Sequence, residues 1–533
     1  MAPKLVILGW DSATFDVIDP LRSEGRLPVL DGLIGAGTRS PLRSTWPPMT
    51  DCAWTSAFTG SNPGRHGIFG SWYRAPGAYA CRYFSSRDRR APALWELTED
   101  VRHLVWNVPM AFPPQAIEGA MVSGYGAPPG SRFCEPASLQ RSLAERFPLE
   151  DLVDRAPHGS LEDFFDDLVR GLEVQARAIV WAATEVGADC VTAVWPQVDR
   201  AQHFFWQFRE NDHPLADAVT RVYEAMDAAT GTIVEAFADA NFLVVSDHGA
   251  GSLNGDVNLG LWLVENGHAE FAEIRRAGDR GILELAWLLP PSVRRFARGL
   301  APGLARKVMS ATLSGALAPF DWTRSRAFVG FHGDLWLNLS GREPAGIVSP
   351  GQADAVRDEI RSGLLELTDP RTGSPVFADV HRRDDIYSGP HVDLAPDLML
   401  DSWTNGYRVA PSRGPEQELV GAPLALAGVD ASWSADHRPL GVWVAAGPEM
   451  GRGSVDELAL YDVCPTALAL LDQPVPAGID GAVAAPSLDA AFLTAHPVRT
   501  ANVSSQRAAV EDEYSETEAA AVAEHLKDLG YIE

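Results

Sequence analysis

Two kinds of apolar patterning alternate along the chain. Short runs with no polar alternate stand at KLVILG (residues 4–9), Leu104–Val108, CVTAVW (Cys190–Trp195), FLVVS (Phe242–Ser246) and GVWVA (Gly441–Ala445). A run of this kind predicts a strand buried on both faces, as in a parallel sheet. Between the runs, apolar residues recur every three or four positions and predict helices at about 50–58, 136–146, 163–183, 214–238 and 457–472. Strands alternating with helices predict an α/β fold with a mostly parallel central sheet covered on both faces. Ligands in such sheets collect beyond the carboxyl ends of the strands. The first run delivers Asp11 to that edge.

The pattern changes between about 252 and 430. This stretch holds a basic Leu/Ala-rich segment (Trp287 to Lys307), a β-like AFVGFHGDLWLNL, a helix near 352–367 and a turn-rich DPRTGSP. The reading is therefore a core formed by 1–251 and 431–498, with 252–430 inserted as a cap. Residues 499–533 form an acidic linker followed by a C-terminal helix (ETEAAAVAEHLKDLGYIE). The basic segment reads as a solvated helix face rather than a membrane-binding one.

Length and composition narrow the class. At about 150 residues per domain, 533 residues make either about three domain-sized units or one large α/β core with insertions. With 46% hydrophobic and 22% charged residues, wholesale disorder is excluded. A net charge of −27 opposes a nucleic-acid coat or an anionic membrane surface, yet bound cations can reverse the sign inside one pocket. Five scattered cysteines with no CxxC pair support neither a disulfide framework nor a thiolate zinc site. The N-terminal apolar run is too short for a signal peptide, and no window approaches 18 apolar residues, so a soluble, cytoplasmic protein is expected. Oligomeric state leaves no mark in the sequence.

Candidate chemistry gathers at five places. Asp11 ends the first strand; Asp199 and His203 in VDRAQH share one face of a helical turn; Asp247 and His248 follow FLVVS and run into a flexible GAG. His437 precedes GVWVA, and Thr50 begins a helix whose free N–H groups favour an anion. Three Asp and three His make an oxygen/nitrogen donor set suited first to zinc, with manganese or iron as alternatives. Each residue alone has a plainer reading: Asp11 as a helix N-cap, Asp199 and His203 as a surface pair, His437 as a structural histidine. Their order along the chain is what carries the signal.

In that order the chain resembles the alkaline phosphatase superfamily, most closely its type I phosphodiesterase/nucleotide pyrophosphatase branch. The matching stretches are ILGWDS, WPPMTDCAWTSAFTGSNPGRHGIFG, VDRAQHFFW, VVSDHGAG and DHRPLGVWVAAGP, with YDVCPTALALL and LKDLGYIE toward the end. The resemblance implies an alkaline-phosphatase-like three-layer sandwich. It implies a two-metal hydrolase of phosphate esters in which Thr50 is the nucleophile and forms a phospho-threonine. It also implies one metal on Asp11, Asp247 and His248, close to Thr50, and a second on Asp199, His203 and His437. The expected substrate is a small phosphorylated molecule such as a nucleotide or sugar-nucleotide. A phosphomonoesterase or phosphomutase on the same site, and a catalytically silent binding protein, remain the alternatives.

Departures bear on the substrate. Cys52 stands in CAWTS rather than C/S-x-P-x-R, which disfavours a sulfatase, and Phe69-Gly70-Ser71-Trp72 replaces the phosphate-contacting Asn that nucleotide pyrophosphatases carry after HGI. Arg65, Ser71 and Arg438 are candidate substrate contacts by their nearness in sequence, with carboxylate pairing as an equal alternative for the arginines. The cap is expected to set specificity through His332, Asp334, Asn338 and Arg342, unless that stretch is a surface hairpin packed on itself.

Overall fold

The computed structural model describes residues 2–502 except 75–76, 80, 129, 155–159, 273–319, 331–332, 411–417 and 424–432. The basic segment at 287–307, His332 and the expected C-terminal helix lie outside the described residues. In chain order the core strands are β1 (Leu5–Trp10), β2 (Thr38–Arg43), a hairpin β3 (Trp72–Arg74) and β4 (Cys81–Tyr83), β5 (His103–Trp106), β6 (Gly119–Val122), β7 (Cys134–Glu135), β8 (Cys190–Trp195) and β9 (Asn241–Val245). Next come β10 (Gly249–Ser252), β11 (Gly255–Asn258), β12 (Ala327–Val329), β13 (Asp334–Leu337), β14 (Asp379–Arg382), β15 (Leu398–Asp401), β16 (Tyr407–Ala410) and β17 (Val420–Gly421). The chain then returns through β18 (Ala435–Arg438), β19 (Leu440–Ala446), β20 (Gly453–Ser454) and β21 (Leu458–Ala459).

The central sheet runs β20-β2-β19-β9-β1-β8-β5-β6-β7, with β21 also paired to β2. Strands β9, β1, β8, β5 and β6 are parallel, whereas β19 lies antiparallel between β9 and β2, and β7 closes the far edge antiparallel. Side chains along β1 alternate between two apolar layers, as the period of a strand requires. Val6, Leu8 and Trp10 enter a layer with Ile179, Val222 and Ile233, while Leu5 and Ile7 enter one with Trp54, Phe58 and Leu468. Each fully buried Leu or Ile contributes about 1.5–3 kcal/mol, so both layers hold the sheet. Helices cover both faces, which makes a three-layer α/β sandwich.

The helices that matter for the site are α1 (Phe15–Ser23), α2 (Pro28–Ala36), α3 (Thr50–Thr59) and the short α4 (Pro63–His66). The expected helices at 136–146, 163–183, 214–238 and 352–367 form at Ala137–Ala144, Leu161–Val186, Ala218–Ala236 and Ala353–Leu365. A further helix, Gln197–Phe205, carries Asp199 and His203. The side chain of Thr14, not Asp11, caps α1, by accepting from the Asp16 N–H. The Asp11 carboxylate is left for another use.

The described part of 252–430 builds its own sheet, β12-β13-β15-β14, and a three-stranded one, β16-β11-β17. Around them Leu335, Leu337, Ile360, Leu364, Leu398 and Leu400 form a separate apolar cluster. Strands β12 and β13 of the AFVGFHGDLWLNL stretch thus pair in the interior of a second lobe. GAG is not flexible: it lies in β10, paired antiparallel with β18 so that Ala250 faces His437. The ladder hydrogen bonds available to an extended chain next to a matching strand explain the order. Among the described residues no helix is long and apolar enough to cross a membrane.

Candidate active site

Six of the expected residues converge from four elements at the carboxyl edge of the sheet. Asp199, His203 and His437 form one group and Asp11, Asp247 and His248 another; within each, one donor atom per residue lies within 4.8 Å of the others. The rings of His248 and His437 stack with centroids 3.7 Å apart, so the groups adjoin. All six side chains are buried. Thr50 begins α3 beside them, with its Oγ1 3.4 Å from His248 Nε2.

Backbone carbonyls orient the three imidazoles. His203 Nδ1 is 2.8 Å from the Ala435 oxygen, His437 Nδ1 2.8 Å from the Pro48 oxygen and His248 Nδ1 3.1 Å from the Gly249 oxygen. A carbonyl only accepts, so each Nδ1 donates, and in the neutral ring that binds a cation each Nε2 turns a lone pair inward. These lone pairs face one another and the carboxylates. His203 Nε2 is 3.2 Å from His437 Nε2 and 3.1 Å from Asp199 Oδ1, and His248 Nε2 is 3.0 Å from Asp247 Oδ2. Asp11 Oδ1, both Asp199 oxygens and Asp247 Oδ2 accept no hydrogen bond. Acceptors packed against acceptors in a buried pocket fit divalent cations, which imidazole and carboxylate hold in this manner.

The electrostatics agree. Burial, and repulsion from Asp247 and Asp199, push the Asp11 carboxyl well above the usual range. Burial alone would raise Asp199 too, but His203 and His437 outweigh it and hold Asp199 well below. Burial opposes a charge on His437, yet Asp199, Asp436 and Asp247 lift its pKa to about 9. The pocket therefore draws positive charge, although the whole chain stands at −27.

Other groups fix the ligand residues and left little mark in the sequence. The Trp54 indole N–H donates to Asp11 Oδ2 at 3.0 Å, and the Ser12 N–H donates to Asp247 Oδ1 at 3.1 Å. Ser12 adopts φ 64°, a left-handed conformation costly for serine and held here by three contacts. Its hydroxyl donates to the Gly249 oxygen, and its carbonyl accepts from Gln202. Asp51 follows Thr50 and accepts hydrogen bonds from Tyr83 and Ser71. Burial raises its pKa to about 6, moderated by those donors. Only a short polar side chain after a strand, and an aromatic one turn into a helix, hinted at Ser12 and Trp54.

The expected substrate contacts fare differently. Asn338 is fully buried; its amide N donates to the carbonyls of Trp322, Ser325 and Ala345, and its Oδ1 accepts from Tyr79, so it is saturated by structure. Arg342 binds Glu343 and Asp397, and Arg65 binds Asp480. Arg438 donates to the carbonyls of Asp436, His437 and Ser252. Arg65 thus pairs with a carboxylate, whereas Arg438 is held by backbone carbonyls. Ser71 turns to Asp51, and Asp334 accepts from the Trp336 indole at 2.8 Å. Aromatic groups of the second lobe gather on Trp46, four residues before Thr50. Trp46 lies 4.9 Å from the His381 ring and 6.2 Å from Trp403, and its carbonyl accepts from the Tyr387 hydroxyl.

A mostly parallel sandwich that sets a helix-start hydroxyl against two carboxylate/imidazole groups fits a metal-dependent hydrolase of phosphate esters. The chain belongs to the type I phosphodiesterase/nucleotide pyrophosphatase family, which it matches over residues 5–423. Among solved structures, an inactive variant of murine ectonucleotide pyrophosphatase/phosphodiesterase 5 in complex with AMP is similar at 13% identity, covering 88% of this chain and 95% of its own, with a TM-score of 0.48. Phosphonoacetate hydrolase from Sinorhizobium meliloti in complex with phosphonoformate is similar at 16% identity over 87% of this chain and 94% of its own, with a TM-score of 0.49. Both likenesses are too distant to bear on the substrate. No curated protein matches the chain.

Proposed function

We propose that the chain is a two-metal phosphodiesterase acting through a phospho-threonine at Thr50, on a small substrate such as a nucleotide or sugar-nucleotide. The observation that carries this reading is the set of inward imidazole lone pairs packed against carboxylate oxygens that accept no hydrogen bond, with the Thr50 hydroxyl beside them. Asp11, Asp247 and His248 would hold one cation next to Thr50, and Asp199, His203 and His437 the other. Zinc suits the donors first, and manganese or iron also fit. Two divalent cations held there would supply the positive charge that stabilises entering and leaving oxygens.

The residues of the chain do the rest. Thr50 Oγ1 attacks phosphorus as its proton passes to water; the O–P bond forms while the bond to the leaving oxygen breaks, and that oxygen keeps the electron pair. Water then cleaves the phospho-threonine and returns the hydroxyl. Thr50 opens a ten-residue helix. The first-turn N–H groups of that helix face the same side and favour the phosphoryl oxygens. The aromatic group on Trp46, which holds His381 and Trp403, would offer flat surfaces to a leaving group.

A hydrolysis panel on zinc- or manganese-loaded enzyme tests the reading, using p-nitrophenyl phosphate, bis-p-nitrophenyl phosphate, a nucleoside diphosphate sugar and a sulfate monoester. The diester or the sugar nucleotide should turn over fastest. Preference for the monoester would move the site to a phosphatase or mutase. No turnover of any compound would leave a silent binding protein.

A further inference from the structure

The hairpin β3–β4 leaves the core, touches the second lobe and returns to the nucleophile. Its outward arm carries Arg74, whose guanidinium sits 3.9 Å over the Trp336 ring and 3.0 Å from Glu343 Oε1, a carboxylate with 0% side-chain exposure. Near the tip, Tyr79 stacks on Trp322 with centroids 3.9 Å apart and donates to Asn338 Oδ1 at 2.6 Å. Glu343 is bound in turn by Arg342, which also pairs with the buried Asp397. The hairpin is therefore clamped into the lobe by buried charge and by stacking, both of which resist sliding.

The return arm ends at the nucleophile. Tyr83 lies opposite Trp72 in the hairpin register, and its hydroxyl donates to Asp51 Oδ2. Ser71, at the foot of the outward arm, supplies the second donor to the same carboxylate. Asp51 is the residue after Thr50 in the first turn of α3. Both feet of the hairpin thus grip one side chain in the turn that presents the attacking hydroxyl. Among the described residues the two metal-ligand groups do not include Asp51.

We propose that Tyr83 is a positioning residue acting on Thr50 through Asp51, and that the hairpin links the seating of the second lobe to the aim of the nucleophile. This rests on the reading of Thr50 as nucleophile. An attacking oxygen displaced by about 1 Å loses up to about a hundredfold in rate, so a half-loosened turn should cost about tenfold in kcat and leave ground-state binding nearly intact.

The experiment measures kcat and KM on bis-p-nitrophenyl phosphate for Tyr83→Phe, Asp51→Ala, Asp51→Asn, Arg74→Gln and the double variant Tyr83→Phe/Arg74→Gln. Thr50→Ala is run alongside, with metal content and urea unfolding as controls. Tyr83→Phe keeps the ring and removes one hydroxyl; it should lower kcat about tenfold, with KM within about twofold and metal content unchanged. Asp51→Asn keeps an acceptor and should restore most of the kcat that Asp51→Ala loses. The double variant should be no slower than its slower parent, since both changes cut one route. Wild-type kcat in Tyr83→Phe, or multiplicative losses in the double variant, would overturn the proposal while an inactive Thr50→Ala kept the nucleophile assignment. An active Thr50→Ala would overturn the functional reading itself. A fall in unfolding stability with unchanged kcat would reduce the hairpin to packing.

Discussion

Replacing Trp54 by Phe separates a ligand-holding contact from ordinary packing. Trp54 is fully buried, stacks on Phe58 at 5.6 Å, and reaches Asp11 Oδ2 with its indole N–H at 3.0 Å. Its far edge occupies space that a side chain at position 9 would fill: a Cβ on Gly9 would come within 2.5 Å of Trp54 Cη2. Phe retains the apolar contacts near the helix but cannot donate. Losing a hydrogen bond to a charged acceptor costs about 1.5–3 kcal/mol. Losing an outer partner of a metal ligand typically costs about 10–100-fold in metal affinity, which is about 1.4–2.7 kcal/mol. The two routes agree. Trp54→Phe should therefore weaken zinc binding by about 10–100-fold, measured by competition with a chromophoric chelator. Urea unfolding of the metal-free protein, run in parallel, reports the packing loss separately. An affinity within about twofold of wild type, together with reduced metal-free stability, would refute Asp11 as a ligand held in place by Trp54.

Three further outcomes follow from the same site and core. Thr50→Ala should lower kcat by at least about a thousandfold while the chain keeps its fold and most of its metal, read by steady-state kinetics and elemental analysis. Stripping metal with a chelator should abolish hydrolysis, and zinc or manganese should restore it; turnover by protein shown to be metal-free would exclude the two-metal mechanism. The third concerns His66, which burial, with Arg89 and His391 adding repulsion, holds down at about 3. The Ile68 N–H donates to His66 Nδ1 at 3.2 Å and Ser56 Oγ lies 2.9 Å from Nε2, so the neutral ring is the one the fold accommodates. Because the folded value lies below the unfolded one, the unfolded chain binds the proton first, and stability present above about pH 6.5 is lost as pH falls. His66 alone should remove about 2 kcal/mol between pH 7 and pH 5. Urea titrations should show that fall shrinking by this amount in His66→Gln, and an unchanged fall would refute it.

Much of the donor set was legible because its spacing is local. Asp199 and His203 lie four apart on one helix, Asp247 and His248 are adjacent at a strand end, and Asp11 closes an apolar run. Three sequence-local arrangements therefore hold five of the six residues. His437 was legible only through its neighbours, since what seats it is a ladder to β10 and a carbonyl from Pro48. Both are contacts between residues far apart in sequence. The surroundings of Asn338 and Arg342 were illegible for the same reason. A polar residue in a β-like stretch looks available until the three carbonyls or the two carboxylates around it are known. Tyr83 was invisible because a three-residue strand such as CRY carries no periodicity.

The position of β19 sets when this molecule can finish folding. It lies between β9 and β2, pairing with both, although it is made after the entire second lobe. As the chain leaves the ribosome, the segment through Ser252 holds every sheet strand from β1 to β9, yet the slot beside β9 stays empty and β2 has no partner to join it to the sheet. At about 5–20 residues per second, the wait from residue 252 to residue 446 lasts roughly 10–40 s. Throughout that time an open strand edge is offered to any extended chain nearby. Fragments ending before residue 440 are therefore expected as aggregates rather than as small active cores, and soluble yield should depend on chaperones that shelter the edge until β19 fills the slot between β9 and β2.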